Sequence, residues 1–255
     1  MKAFILAAGK GKRLLPLTQK LPKPMVPVNG IPLLCYTLAR LRQAGIHELI
    51  INTWYLGDII AAFLAHHNNF GFDISLSEET ELLGTGGGIS NCKELLKDTF
   101  LLINADIICD IPLTEFIKFQ GNKGDISLLA VSAAGKPTVA VKGDQVKDFS
   151  NIIGTDLVDC CAYTGNAILT PEIFQCLPSG YSSLVTSGFI PLSIAGHLSY
   201  WTHQGWWLDV GKPQRLKDAE IFLETKKDIN KLFTSLEFDL DQDYLNWMFQ
   251  NSLEV

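Results

Sequence analysis

No run of 18 or more apolar residues occurs in the chain, so no membrane-spanning helix is expected. The apolar start runs for only about six residues before Gly9 and Lys10, too short for the core of a secretory leader. Positive charge is in short supply. Against 27 Asp and Glu stand 21 Lys and Arg, a net charge of −6, which excludes a general nucleic-acid or anionic-membrane surface. Any phosphate-binding cations must therefore be local. Cysteine is sparse and unpatterned: Cys35, Cys92, Cys109, Cys160, Cys161 and Cys176 form no CxxC pair, and no His stands at zinc spacing from them. They read as reduced structural thiols of a cytoplasmic protein. Repeats, low-complexity tracts and an obvious linker are also missing.

What is there suits a globular α/β protein. The 255 residues, 47% hydrophobic and 19% charged, are enough for one large domain or two small ones. The chain is organised around its first thirty residues. Ala3 to Ala8 read as an apolar strand, Gly9 and Gly11 open a tight loop, and the loop ends in Lys12 and Arg13. Pro22-Lys23-Pro24 then holds another cation in a stiff, extended setting. Glycines let the main chain approach phosphates, and several N–H dipoles can converge on one anion. Arg adds a planar fork and Lys a point charge. Two familiar phosphate loops are excluded. The Walker pattern fails because each Gly-Lys is followed by Gly11 or Arg13, and the dinucleotide fingerprint fails because its third glycine position is Leu14.

Further on, strand and helix alternate. Helix is expected over 31–44, strand over 47–52, helix over 54–66 and strand over 72–77, an order that predicts a doubly wound, parallel sheet. Ligands in such sheets sit beyond the carboxyl ends of the strands. A glycine run, Gly84 and Gly86 to Gly88, comes between a strand and a helix. It reads either as a flexible turn with a helix start or as a backbone wall for a flat base. The strand over 100–108 is interrupted by Asn104 and Asp106. Buried Asp is costly unless paired or metal-bound, and a strand-end Asp is a common Mg²⁺ holder; the alternative is a turn cap. Asp110 reads as a cap. A strand over 126–131 and a hairpin over 138–149 follow, then a strand over 163–169 that is either a sugar contact at Gly165 and Asn166 or a bulged core strand. The aromatic stretch 200–216 contains one Asp before a Val-Gly, Asp209, whose plain reading is a turn residue. Beyond it lie a helix over 216–226 and a tail with Leu245, Met248 and Phe249 at helical spacing.

The string Leu6-Ala7-Ala8-Gly9-Lys10-Gly11-Lys12-Arg13-Leu14, with Pro16-Leu17-Thr18 and Pro22-Lys23-Pro24, resembles the signature of sugar-1-phosphate nucleotidyltransferases. The resemblance continues through Leu83-Gly84-Thr85-Gly86, Asn104-Ala105-Asp106 and Trp207-Leu208-Asp209-Val210-Gly211-Lys212-Pro213. The Thr85-Gly86-Gly87-Gly88-Ile89 form, with Ile51-Asn52, Leu56-Gly57 and Asn69-Phe70-Gly71, is most similar to the uridylyltransferases that act on N-acetylmuramate 1-phosphate. Departures from the pattern are Lys12, Ala105 in place of glycine, and a short, atypical segment around the 138–149 hairpin.

The resemblance implies a Rossmann-like fold of the GT-A-like nucleotidyltransferase type: a mostly parallel central sheet with helices on both faces. It implies a catalytic domain over 1–226 and a helical extension over 227–255. Nucleotide would be bound by Leu6, Ala7, Ala8, Gly9, Gly11, Lys12, Arg13, Lys23, Glu79, Gly84, Thr85 and Gly86, and the sugar phosphate by Asn104, Gly165 and Asn166. Asp106 and Asp209 would be the Mg²⁺ ligands, with Arg13 and Lys23 the catalytic cations. The substrates implied are an NTP, with UTP favoured, and a sugar 1-phosphate, with the muramate ester favoured. That pair would place the enzyme in cell-wall sugar recycling. Guanylyl, thymidylyl or cytidylyl transfer to another sugar 1-phosphate or to phosphocholine stays open. So do a non-catalytic nucleotide-sensing homologue and the oligomeric state.

Overall fold

The computed structural model describes residues 1–123, 125–226 and 229–234, together with Leu236 and Trp247. The chain opens with strand β1 (Ala3–Leu6), then the glycine loop and single helical turns at Lys12–Leu14, Leu17–Gln19 and Lys23–Met25. A small hairpin, β2 (Pro27–Val28) and β3 (Ile31–Pro32), leads into α1 (Leu33–Gln43). Strand β4 (Glu48–Thr53), helix α2 (Gly57–His66) and strand β5 (Asp73–Glu78) continue the alternation, followed by α3 (Gly84–Asn91), β6 (Phe100–Asn104), β7 (Ile107–Cys109) and α4 (Leu113–Lys123). Next come β8 (Ser127–Ser132), the hairpin β9 (Val139–Lys142) and β10 (Gln145–Phe149), β11 (Ala162–Leu169) and α5 (Ile190–Ala195). The described chain closes with β12 (Leu198–His203), β13 (Trp207–Asp209), α6 (Pro213–Glu224) and α7 (Ile229–Thr234).

Nine strands form the main sheet in the order β5-β4-β1-β6-β11-β8-β12-β10-β9. β4 pairs with β5, and β8 with β12, in parallel. The expected Rossmann-like sheet is thus present, but mixed: β11 runs antiparallel to both β6 and β8, and β10 is antiparallel to β9 and β12. The β9–β10 hairpin follows from its tight turn, since only antiparallel strands can be joined by so short a connection. β7 and β13 stand apart as a two-stranded ribbon.

Contacts divide the chain into two compact units: Met1–Phe4, Glu81–Asn104 and Cys109–Trp207 in the first; Ile5–Thr80, Ala105–Ile108 and Leu208–Val255 in the second. In the first, every residue of β8 is buried. A strand covered on both faces reads as a continuous apolar run rather than an alternation, as Leu128, Leu129, Ala130 and Val131 do. In the second, Leu33 to Leu41 of α1 are all buried. Tyr36 of α1 meets Phe233 of α7 edge-on at 5.0 Å, and Phe63 of α2 meets Trp247 at 5.1 Å. The described part of the C-terminal extension therefore packs on the helices of its own unit. Burying such rings contributes about 2–3 kcal/mol each. Leu245, Met248 and Phe249 lie outside the described residues.

Two readings change. The glycine run is the expected helix start, but it lies within helix α3 and is no flexible turn. A Cβ at Gly84 would lie 2.5 Å from the Ser182 carbonyl, one at Gly86 2.6 Å from the Ser182 hydroxyl, and one at Gly87 2.0 Å from the Gly180 carbonyl. These glycines let the helix backbone approach the 180–184 segment, a contact that offsets the weak helix propensity of glycine. Asp110 is no helix cap. Its carboxylate accepts from the Trp206 N–H.

Candidate active site

The second unit carries the glycine loop. Gly11 sits at φ +63, a conformation that excludes most side chains, and a Cβ there would also meet the Thr18 methyl at 2.8 Å. The Thr18 hydroxyl and the Leu14 N–H both donate to the Gly11 carbonyl, at 2.9 and 2.8 Å. That closes the turn and leaves Gly9, Lys10, Lys12 and Arg13 exposed. Gly9 has nothing within 4 Å of its Cβ position, so its main chain is open to a close-approaching ligand. The Lys10 ammonium lies 5.5 Å from the Tyr55 ring centre.

The end of β1 is held by Asn52, a residue that did not stand out as functional in the sequence. The Ala7 N–H donates to Asn52 Oδ1 at 2.8 Å, and Asn52 Nδ2 donates to Glu79 Oε1 at 2.8 Å. Both side chains are buried. The Ala7 N–H is thus employed internally. Its signal in the sequence was a polar residue closing the apolar strand of 47–52, where an unpaired amide is costly.

Four of the predicted residues come together in this unit. The Lys23 ammonium is ion-paired to Asp106 Oδ2. The Val210 N–H donates to the Asp106 carbonyl at 3.1 Å, so the backbone next to Asp209 is tied to Asp106. Asp209 Oδ2 accepts from Arg215 Nη1 at 2.6 Å. A Cβ at Gly211 would lie 2.8 Å from Asp209 Oδ1 and 3.1 Å from Arg13 Nη2, so carboxylate and guanidinium flank one point. The Asp106 and Asp209 side chains are 25% and 28% exposed, shielded enough to strengthen charge interactions yet open to a ligand. Arg215 was not singled out; its pairing with Asp209 is set by the first turn of α6.

The donor set suits Mg²⁺. Among the described residues no cluster of three or more His, Cys, Asp and Glu could hold a metal ion. Mg²⁺, however, is characteristically bound through one or two carboxylates, waters and substrate phosphates rather than by an all-protein cage. Two oxygen-donor carboxylates among the cations Lys23, Arg13 and Arg215 match that pattern.

The remaining predicted residues lie in the first unit. The Leu184 N–H donates to the Thr85 hydroxyl at 2.9 Å, which leaves the hydroxyl proton available. Asn104 ends β6, half-buried. Gly165, at φ +76, sits where the β11–β8 register shifts between Tyr163 and Ala167, so β11 is a bulged core strand. Asn166 is buried and donates to the Thr164 carbonyl at 3.0 Å. Neither Cys35 nor Cys161 is an activated nucleophile. Burial pushes the Cys35 thiol far up, and burial, with Cys160 and Asp159 adding, pushes Cys161 up to about 12.

Known proteins resemble the chain over most of its length. Residues 2–226 match the nucleotidyl transferase family, and the chain belongs to it. It is 30% identical over 223 residues to the mannose-1-phosphate guanylyltransferase catalytic subunit beta of Danio rerio, covering 84% of this chain and 62% of that protein. It is 29% identical over 234 residues to the UTP–glucose-1-phosphate uridylyltransferase of Synechocystis sp., covering 83% and 60%. The chain thus spans less than two thirds of the length of these relatives. The crystal structure of HddC from Yersinia pseudotuberculosis complexed with GMP-PN shares the fold, with a TM-score of 0.74 at 23% identity over 87% of this chain and 99% of that one. No helix among the described residues is long and apolar enough to cross a membrane.

Proposed function

We propose that the chain transfers a nucleotidyl group from an NTP to a sugar 1-phosphate, releasing pyrophosphate. The observation that carries this reading is the gathering of Arg13, Lys23, Asp106 and Asp209 in one unit beside an open glycine loop. A phosphate oxygen of the sugar ester attacks the α-phosphorus in line, the bond from the α-phosphorus to the bridging oxygen breaks, and pyrophosphate leaves with that electron pair. No covalent enzyme intermediate is needed. Catalysis is positioning plus charge stabilisation.

Lys23 sits between the α-phosphate and the incoming ester and offsets the repulsion of two anions. Arg13 holds the departing pyrophosphate through its planar fork. Asp106 and Asp209 would hold Mg²⁺, which when bound supplies Lewis-acid stabilisation of phosphate oxygens. The main chain around Gly9 receives the phosphates.

UTP and N-acetylmuramate 1-phosphate are the pair that the motif likeness favours. The name of the Danio rerio relative supports a second reading, GTP with mannose 1-phosphate. A grid of nucleoside triphosphates against sugar 1-phosphates, read as Mg²⁺-dependent pyrophosphate release, decides. Release with UTP and the muramate ester alone supports the first, and release with GTP and mannose 1-phosphate the second. Silence throughout, with nucleotide still bound, would replace both with a nucleotide-sensing role.

A further inference from the structure

Asp106 immediately precedes β7, and Asp209 ends β13. The spacing of these carboxylates therefore depends on the register of the β7–β13 ribbon. Main-chain bonds bracket that ribbon: Val210 N–H to the Asp106 carbonyl at 3.1 Å at one end, and Asp110 N–H to the Trp206 carbonyl at 3.2 Å at the other. A two-stranded ribbon with short strands slips easily unless something beyond the ladder pins it.

Side chains supply the pin at the second end. Asp110 Oδ1 accepts the Trp206 N–H at 2.8 Å and lies 2.8 Å from His203 Nε2, which is also 3.3 Å from the Trp206 carbonyl. Both neighbours of Nε2 are acceptors, so that nitrogen carries a proton and donates. His203 is 4% exposed, and its ring stacks on Trp201 at 6.0 Å. A Cβ at Gly205 would lie 2.3 Å from Asp110 Oδ1, so only glycine lets the loop close over the carboxylate. One oxygen thus collects two N–H donors from the segment that delivers Asp209. A slip by one residue would break all of these bonds at once and turn side chains to the opposite face.

We propose that Asp110 and His203 are positioning residues that lock the β7–β13 register and so set the separation of the Asp106 and Asp209 carboxylates. The inference rests on the reading of those two as a divalent-cation pair.

The test measures Mn²⁺ binding to the full chain by water-proton relaxation, and separately the Mg²⁺ dependence of pyrophosphate release. Asp110→Ala is expected to weaken Mn²⁺ binding about tenfold and to raise half-saturating Mg²⁺ by a similar factor, with the sugar-phosphate KM within about twofold. Asp110→Asn, which keeps an oxygen acceptor for Trp206, is expected to recover most of both. Thr155→Ala, which removes a hydrogen bond elsewhere in the fold, is expected to change neither. Should Asp110→Ala fail to fold, His203→Phe keeps an aromatic ring against Trp201, drops the donor, and carries the same expectation.

A folded Asp110→Ala or His203→Phe with wild-type Mn²⁺ affinity and Mg²⁺ dependence would overturn the proposal, whether or not turnover is normal. Weakened Mn²⁺ binding in a protein that turns over no substrate pair would uphold the lock and remove the transfer reaction. A wild-type chain that binds no Mn²⁺ would overturn the lock.

Discussion

Gly211→Ala separates function from folding more sharply than loss of a charged group would. The new Cβ would sit 2.8 Å from Asp209 Oδ1 and 3.1 Å from Arg13 Nη2, and the first distance is closer than Cβ atoms approach carboxylate oxygens. The carboxylate has to turn away, giving up its 2.6 Å bond to Arg215. Turning a side chain about 30° off its rotamer costs about 0.5–1.5 kcal/mol. Misplacing a reacting group by about 1 Å costs on the order of 10²-fold in rate. Folding stability should barely move, because Gly211 is not in the left-handed region and alanine there gains about 0.4–1 kcal/mol through the unfolded chain. The expected result is a melting midpoint within a few degrees of wild type and a kcat lowered roughly 30- to 100-fold, measured as pyrophosphate release at saturating substrates. Wild-type turnover in a well-folded variant would refute the placement of Asp209 and Arg13 as working groups. A collapsed melting temperature would refute the steric reasoning.

Other predictions follow from single contacts. Gly9→Ala meets nothing within 4 Å in the unliganded chain, so it should melt like wild type while raising the NTP KM about tenfold or more; an unchanged KM would show that phosphates do not approach this backbone. Asn52→Ala strips a buried acceptor from Ala7 and a donor from Glu79, and should cost about 2–4 kcal/mol in urea unfolding; a cost below about 1 kcal/mol would contradict it. Burial alone would raise the Asp148 carboxyl, but N–H groups of Ile153, Phe149 and Thr155 and the Thr155 hydroxyl outweigh it and hold the pKa below its ordinary 3.8. That depressed pKa makes Asp148 contribute stability above about pH 4 that is lost as pH falls through the lower folded value. Asp148→Asn should flatten the acid limb of the stability profile, and an unchanged limb would count against it.

Parts of the candidate site stand out in the sequence because their chemistry conflicts with their surroundings. Asp106 interrupts an apolar strand, Asp209 is a lone carboxylate in an aromatic stretch, and the Gly9–Gly11 loop carries cations on an acidic chain. The strands of the first half, and the hairpin over 138–149, were legible from apolar runs and turn residues. The purpose of the glycines in α3 was not. Their partner, the 180–184 segment, lies about a hundred residues away in sequence and leaves no local pattern. The direction of β11 was hidden for a similar reason, since strand polarity is set by pairing between distant segments. Asp110 read as a cap because its partners, His203 and Trp206, are brought to it only by the β7–β13 ribbon. Asn52 was visible as a polar residue at a strand end, but its role depends on Ala7 and Glu79, one on each side of it in the chain.

The most direct test of the central claim follows the α-phosphorus. With an NTP labelled there and the sugar 1-phosphate chosen by the substrate grid, the account predicts label in the nucleoside diphosphate sugar and none in free nucleoside monophosphate. It predicts loss of that product, by on the order of 10²-fold or more, in folded Asp106→Ala and Asp209→Ala. Label appearing as free monophosphate, or transferred equally well by the two variants, would contradict it.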